Sequence, residues 1–115
     1  MGNTNKPRIL YVDDDPQNLR AFKNAFKEEF EIYIAETGEE GLTILDNTEV
    51  NLIISDQRMP KMSGVQFLEK VMKSHPGPNR ILMTAYSDFE AIIEAINKGK
   101  IYQYIQKPWD KENIV

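Results

Sequence analysis

Three aspartates carry most of the chemical information in this sequence. Asp13 and Asp14 follow the apolar run Ile9-Leu10-Tyr11-Val12, and Asp56 closes the run Val50-Asn51-Leu52-Ile53-Ile54-Ser55. Such runs read as strands buried on both faces, where an ionised group is costly unless a neighbour compensates for it. Three carboxylates brought together repel one another unless a cation intervenes. With no cysteine and a single histidine in the chain, oxygen-only ligation suits a hard divalent cation, Mg²⁺ or Mn²⁺. Two further strand ends supply complementary groups. Lys107 follows Ile101-Tyr102-Gln103-Tyr104-Ile105-Gln106 and brings a fixed positive charge, while Thr84 ends Ile81-Leu82-Met83 and brings a hydroxyl donor. A metal, a lysine, a hydroxyl and one carboxylate form an electrostatic cradle for a phosphoryl group. The carboxylate can itself be the nucleophile and form an acyl phosphate.

Each of these residues is ordinary when taken alone. A strand-ending aspartate is commonly a turn former or helix cap, and Asp15 before Pro16 reads that way. Thr84 alone is a strand residue, Lys107 a solvated lysine, Tyr102 and Tyr104 edge-strand packing, and His75 before Pro76 a terminal residue of a helix. Agreement among them is what carries weight. Four strand ends on one rim hold groups suited to one reaction.

The elements that must position them alternate. Strands are expected over roughly 8–13, 30–35, 50–56, 80–84 and 101–106, and helices over roughly 16–28, 38–47, 64–75, 87–99 and from about 110. That alternation predicts a parallel sheet covered by helices. Thr37 with Glu40, Ser63 with Gln66 and Ser87 with Glu90 have the capping-box spacing. Leu19, Phe22 and Phe26 form an apolar helical stripe, as do Phe89, Ile92, Ile93 and Ile96. The segments near 9–12, 52–54 and 81–83 are continuously apolar, whereas Phe30, Ile32 and Ile34 alternate with Glu31 and Tyr33, and Ile101, Gln103 and Ile105 alternate with Tyr102 and Tyr104. Continuous runs belong in the centre of a parallel sheet and alternating ones at its edges. This selects the order 2-1-3-4-5, an α/β flavodoxin-like doubly wound sheet with helices on both faces, whose ligands bind at the carboxyl ends of the strands.

A chain of 115 residues with 41% hydrophobic content fits one domain able to bury roughly two thirds of its unfolded surface. A net charge of −4 and no basic run longer than two residues argue against direct nucleic-acid binding by this domain. No segment resembles a signal peptide or membrane span, so the expected location is cytoplasmic, with no membrane partner.

The motifs Val12-Asp13-Asp14-Asp15-Pro16, Ser55-Asp56-Gln57-Arg58-Met59-Pro60-Lys61-Met62-Ser63-Gly64, Leu82-Met83-Thr84-Ala85 and Tyr104-Ile105-Gln106-Lys107-Pro108-Trp109 occur in the order and on the elements that identify the chain as similar to receiver domains of two-component response regulators. The resemblance runs from about residue 8 to Val115, leaving residues 1–7 as an N-terminal tail. It implies that Asp56 is the phosphoacceptor, that Asp14 binds Mg²⁺ directly and Asp13 mainly through water, and that the backbone carbonyl of Arg58 is a further ligand. It implies that Lys107 contacts the acyl phosphate, that Thr84 and Tyr104 are the switch pair, and that Gly64 allows the tight return after the loop. Arg58 and Tyr86 occupy positions that vary in the family and tune the lifetime of the phosphate. A sensor histidine kinase or histidine phosphotransfer protein is the implied phosphate donor. The implied output face lies on the fourth helix, fifth strand and fifth helix, and it controls a fused or separate effector or a phosphorylation-dependent homodimer. The fifth helix has barely begun at Asp110-Lys111-Glu112-Asn113-Ile114-Val115, so a longer regulator is expected. The motif wording is similar to that of receivers fused to cyclic-dinucleotide phosphodiesterase or transcriptional domains.

The same residues fit other chemistries less well. A Mg²⁺-dependent small-molecule phosphohydrolase using Asp56 as nucleophile would want an acid two residues later, where Arg58 stands. A flavin- or nucleotide-binding module would want a Gly/Ser/Thr-rich loop after the first strand, where Asp13-Asp14-Asp15 stands. A non-phosphorylatable receiver is disfavoured because every expected site residue is present. The domain is therefore expected to be a regulatory phosphoacceptor and not an enzyme acting on other substrates.

Overall fold

The structure, a computed structural model, describes residues 6–84 and 103–106, with Thr84 and the final four through their backbone. In chain order the elements are β1 (Arg8–Val12), α1 (Pro16–Phe26), β2 (Glu31–Ala35), α2 (Gly38–Asn47), β3 (Leu52–Asp56), α3 (Gly64–Ser74), β4 (Asn79–Thr84) and β5 (Gln103–Gln106). The strands form one sheet in the order β2-β1-β3-β4-β5, and every pairing is parallel. The doubly wound order expected from the apolar patterns is therefore the order observed. The helices expected near 87–99 and from about 110, and the Ser87–Glu90 box, lie outside the described residues.

Side chains on a strand alternate between faces, and here that alternation divides the core in two. Leu10, Val12, Ile53 and Leu82 point to one face, where they pack with Leu45 of α2 and Phe67, Leu68 and Val71 of α3. Ile9, Tyr11, Ile54, Ile81 and Met83 point to the other, against Leu19, Phe22 and Phe26 of α1. Tyr11, Phe22 and Phe26 stack in succession, with ring centroids 4.4 and 4.8 Å apart, a separation at which aromatic pairs attract.

Local sequence sets the helix starts. Asp15 accepts from the Gln17 amide at 2.9 Å and caps α1 ahead of Pro16. Ser63 and Gln66 form the reciprocal capping box of α3. At α2 only half of the expected box forms as written. Thr37 accepts from the Glu40 amide, but the Glu40 carboxylate reaches back to the amide of Glu36 at 2.7 Å, one residue before the cap. His75 caps the end of α3 and meets Asp46 of α2 at 3.0 Å, tying the two helix ends together.

The expected third strand begins two residues early. Val50 is buried, but Asn51 leaves the ladder to act as a tie: its Oδ1 accepts from the Arg8 amide at 2.9 Å, its own amide donates to the Arg8 carbonyl at 2.8 Å, and its carbonyl accepts from the Asn79 amide at 3.0 Å. With Glu31 N–H donating to the Pro7 carbonyl at 2.9 Å, the amino ends of β1–β4 are stitched into one rim.

Candidate functional site

The opposite, carboxyl rim collects the acids, and strand parity explains how. Tyr11 lies level with Ile54 across the β1–β3 pair. Two residues further along each strand stand Asp13 and Asp56, on the face already occupied by Tyr11 and Ile54. Asp13 is fully buried and Asp56 is 5% exposed, whereas Asp14 is exposed. One carboxylate oxygen from each lies within 4.8 Å of the others, close enough for a single metal ion to bridge the three.

Asp13 is held firmly. Its Oδ2 accepts from the Tyr11 hydroxyl at 2.7 Å and from Asn18 Nδ2 at 3.2 Å, and its Oδ1 accepts from the Asp15 amide at 3.0 Å. Burial, then the charge of Asp13 and the hydrogen bond to it, push the Tyr11 phenol far above its ordinary range. The hydroxyl therefore stays protonated and donates at any physiological pH. Neither Tyr11 nor Asn18 stood out in the sequence. Tyr11 was legible only as one apolar residue of β1, although its place two residues before Asp13 put it on the same face.

The loop after Asp56 folds back on the strand. Gln57 N–H donates to the Met83 carbonyl at 3.0 Å, Gly64 N–H donates to the Gln57 carbonyl at 2.9 Å, and Val65 N–H donates to Gln57 Oε1 at 2.9 Å. Lys61, at φ 69°, turns the chain through the left-handed region. That Gly64 permits a tight return is therefore accurate in outcome, but the cause is contact. A Cβ at Gly64 would stand 2.3 Å from the Asp56 carbonyl oxygen and 2.7 Å from Leu82 Cδ1.

Of the remaining sequence candidates, Arg58 is exposed in the loop after β3. Thr84 is the last residue of β4, one beyond Met83, which pairs with Asp56. Tyr104 lies on β5 opposite Leu82, and Gln106, the residue before Lys107, pairs with Thr84. Lys107 and Tyr86 fall outside the described residues. Among the described residues no helix is long and apolar enough to cross a membrane.

This fold has counterparts among known proteins. The family model for the response regulator receiver domain matches residues 9–115. The chain belongs to that family. This receiver is 38% identical over 107 residues to the hydrogenase transcriptional regulatory protein HoxA of Bradyrhizobium diazoefficiens, covering 93% of the chain and 22% of the relative. It is 35% identical over 111 residues to the transcriptional regulatory protein GlrR of Escherichia coli, covering 95% of the chain and 25% of the relative. It thus spans about a quarter of the length of the curated relatives it matches. Among solved structures, the signal receiver domain of an HD domain-containing protein from Pseudomonas fluorescens superposes with a TM-score of 0.88 at 33% identity, covering 95% of this chain and 88% of that one. A CheY-like receiver from Methanospirillum hungatei gives 0.86 at 36% identity, covering 95% and 87%. The phosphohydrolase alternative receives no support from these comparisons.

Proposed function

We propose that this receiver is the phosphoacceptor switch of a two-component system, with Asp56 taking a phosphoryl group from the phosphohistidine of a sensor kinase or histidine phosphotransfer protein. The observation that carries the reading is the convergence of Asp13, Asp14 and Asp56 at the carboxyl rim, two of them buried. Two buried carboxylates side by side are costly without a cation, and an all-oxygen set with one member open to solvent suits a hard ion that keeps several waters. The residues fit Mg²⁺. Asp14 and Asp56 would hold it directly, Asp13 mainly through water, and the Arg58 carbonyl would complete the protein's share. Bound there, the ion would neutralise charge on the phosphoryl oxygens.

The chain's own residues do the rest. An Asp56 oxygen attacks phosphorus as the phosphorus–nitrogen bond to the donor imidazole breaks, leaving an acyl phosphate and a neutral histidine. The loop bonds from Gln57 to Gly64 and Val65 hold the backbone beside Asp56 while this happens. Lys107 would pair with a phosphoryl oxygen, and Thr84 with Tyr104 would carry the change toward the output face as a two-state shift. Arg58 and Tyr86 would flank the mouth and govern entry of the hydrolytic water. The receiver unit would comprise residues 8–115, with 1–7 as a tail, and act in the cytoplasm where its donor resides. The longer relatives are transcriptional regulatory proteins, which supports an effector beyond the matched region.

Incubation with Mg²⁺ and acetyl phosphate, followed by intact mass measurement, tests this. One added phosphoryl group that is lost in Asp56→Asn and in chelator supports it. Absence of modification, or modification unaffected by Asp56→Asn, refutes it. Turnover of many equivalents of a small phosphomonoester would instead favour a hydrolase.

A further inference from the structure

Tyr11 brings a buried hydroxyl to the acids. Tyr11 is fully buried and packs its ring on Phe22, yet its hydroxyl is aimed out of the apolar layer at Asp13 Oδ2, 2.7 Å away. The Sδ of Met83, on the strand paired with β3, lies 3.8 Å from the same hydroxyl. Packing alone would be served as well by phenylalanine.

We propose, resting on the receiver reading, that Tyr11 is a positioning residue for the metal: its hydroxyl, with Asn18, anchors Asp13 Oδ2 and so sets the affinity of the acidic site for Mg²⁺. The geometry gives the reason. A carboxylate on a strand end can rotate about its side-chain bonds, and ordering it when an ion arrives costs conformational freedom. Here two donors fix Oδ2 and the Asp15 amide fixes Oδ1, so the group is ordered beforehand. Partners that orient a direct metal ligand carry about 10–100-fold in metal affinity, and the water-mediated contact of Asp13 puts the effect here at the lower end, about tenfold. The ring, packed on Phe22 in the α1-side core, holds the hydroxyl in place and ties the site to that core.

The experiment is a Mg²⁺ titration of the wild-type chain and of Tyr11→Phe, followed by isothermal calorimetry and by the ¹⁵N–¹H resonance of the Asp15 amide, with unfolding free energies measured separately without metal. The expected result is a rise of about tenfold in the Mg²⁺ dissociation constant, with the Asp15 amide resonance already displaced in the metal-free variant. Unchanged or tighter Mg²⁺ binding overturns the proposal, even if stability falls, because a purely structural hydroxyl would move stability alone. If Tyr11→Phe does not fold, Asn18→Ala, which removes the other donor to the same oxygen, is read by the same criteria. Failure of the wild-type chain to bind Mg²⁺ would overturn the proposed Mg²⁺-dependent phosphoacceptor function as well, whereas equal binding by wild type and variant overturns only the role of Tyr11.

Discussion

Replacing Gly64 with alanine should damage this protein more than its position at the first turn of a helix suggests. Alanine for glycine at a helix position normally stabilises by about 0.4–1 kcal/mol, because the unfolded chain loses freedom. Here the added carbon would meet the Asp56 carbonyl oxygen at 2.3 Å, the Asp56 carbonyl carbon at 3.0 Å and Leu82 Cδ1 at 2.7 Å. The leucine tip can yield, but the backbone oxygen belongs to a central strand and cannot. α3 would have to retreat by about 1 Å to restore ordinary contact, at an overpacking cost of about 1–3 kcal/mol. That retreat stretches the two bonds from Gly64 and Val65 to Gln57, each contributing about 1 kcal/mol. After the unfolded-state gain is set against these losses, the net destabilisation is about 2–4 kcal/mol. In a domain of this size that lowers the melting temperature by roughly 10 °C. Gly77 is the control, since nothing lies within 4 Å of a Cβ built there. Gly77→Ala should be neutral or slightly stabilising. Urea unfolding followed by far-ultraviolet circular dichroism compares the two. A Gly64→Ala variant within about 0.5 kcal/mol of wild type, the usual spread for innocuous substitutions, would show that α3 does not press on β3 as described.

Further expectations follow from single contacts. Asp15→Ala removes the cap that accepts from the Gln17 amide and should cost about 1 kcal/mol in chemical unfolding. Lys61→Gly relieves a left-handed, exposed lysine and should stabilise by about 0.5–1 kcal/mol, the αL strain exceeding the added unfolded-state entropy; a loss of stability in the same assay would contradict that. Arg58→Ala and Tyr86→Ala, prepared as aspartyl phosphates with acetyl phosphate, should lose the label faster than wild type in a time course of intact mass. Unchanged decay would remove both residues from any role in guarding the phosphate.

Much of this architecture was readable because it rests on apolar periodicity. The continuous runs of β1, β3 and β4 and the alternation at Phe30, Ile32 and Ile34 gave the strand order without any knowledge of contacts. Strand ends likewise exposed Asp13, Asp14 and Asp56, since a charge closing a buried run is conspicuous. Features set by register between distant segments were hidden. Tyr11 reads as a core aromatic until β1 is seen to place its hydroxyl beneath Asp13, and Asn51 reads as part of β3 until its side chain is seen to bond Arg8. Gly64 was singled out only through the family resemblance, as the residue of a tight return, whereas the cause is the 2.3 Å approach to Asp56. The Glu40 carboxylate chose the amide of Glu36 over that of Thr37, a choice of one residue that spacing rules do not resolve.

The stitched amino rim has a practical consequence. Asn51 and its partners lock that end of the sheet, and Gly77 sits beside it in open space, a sheet's length from the acids. Because the chain has no cysteine, Gly77→Cys would provide a single thiol for a fluorophore or a surface tether. A receiver anchored there would hang with its acidic mouth facing the solution. Candidate phosphate donors and metal ions could then be supplied and washed away in turn over one immobilised layer.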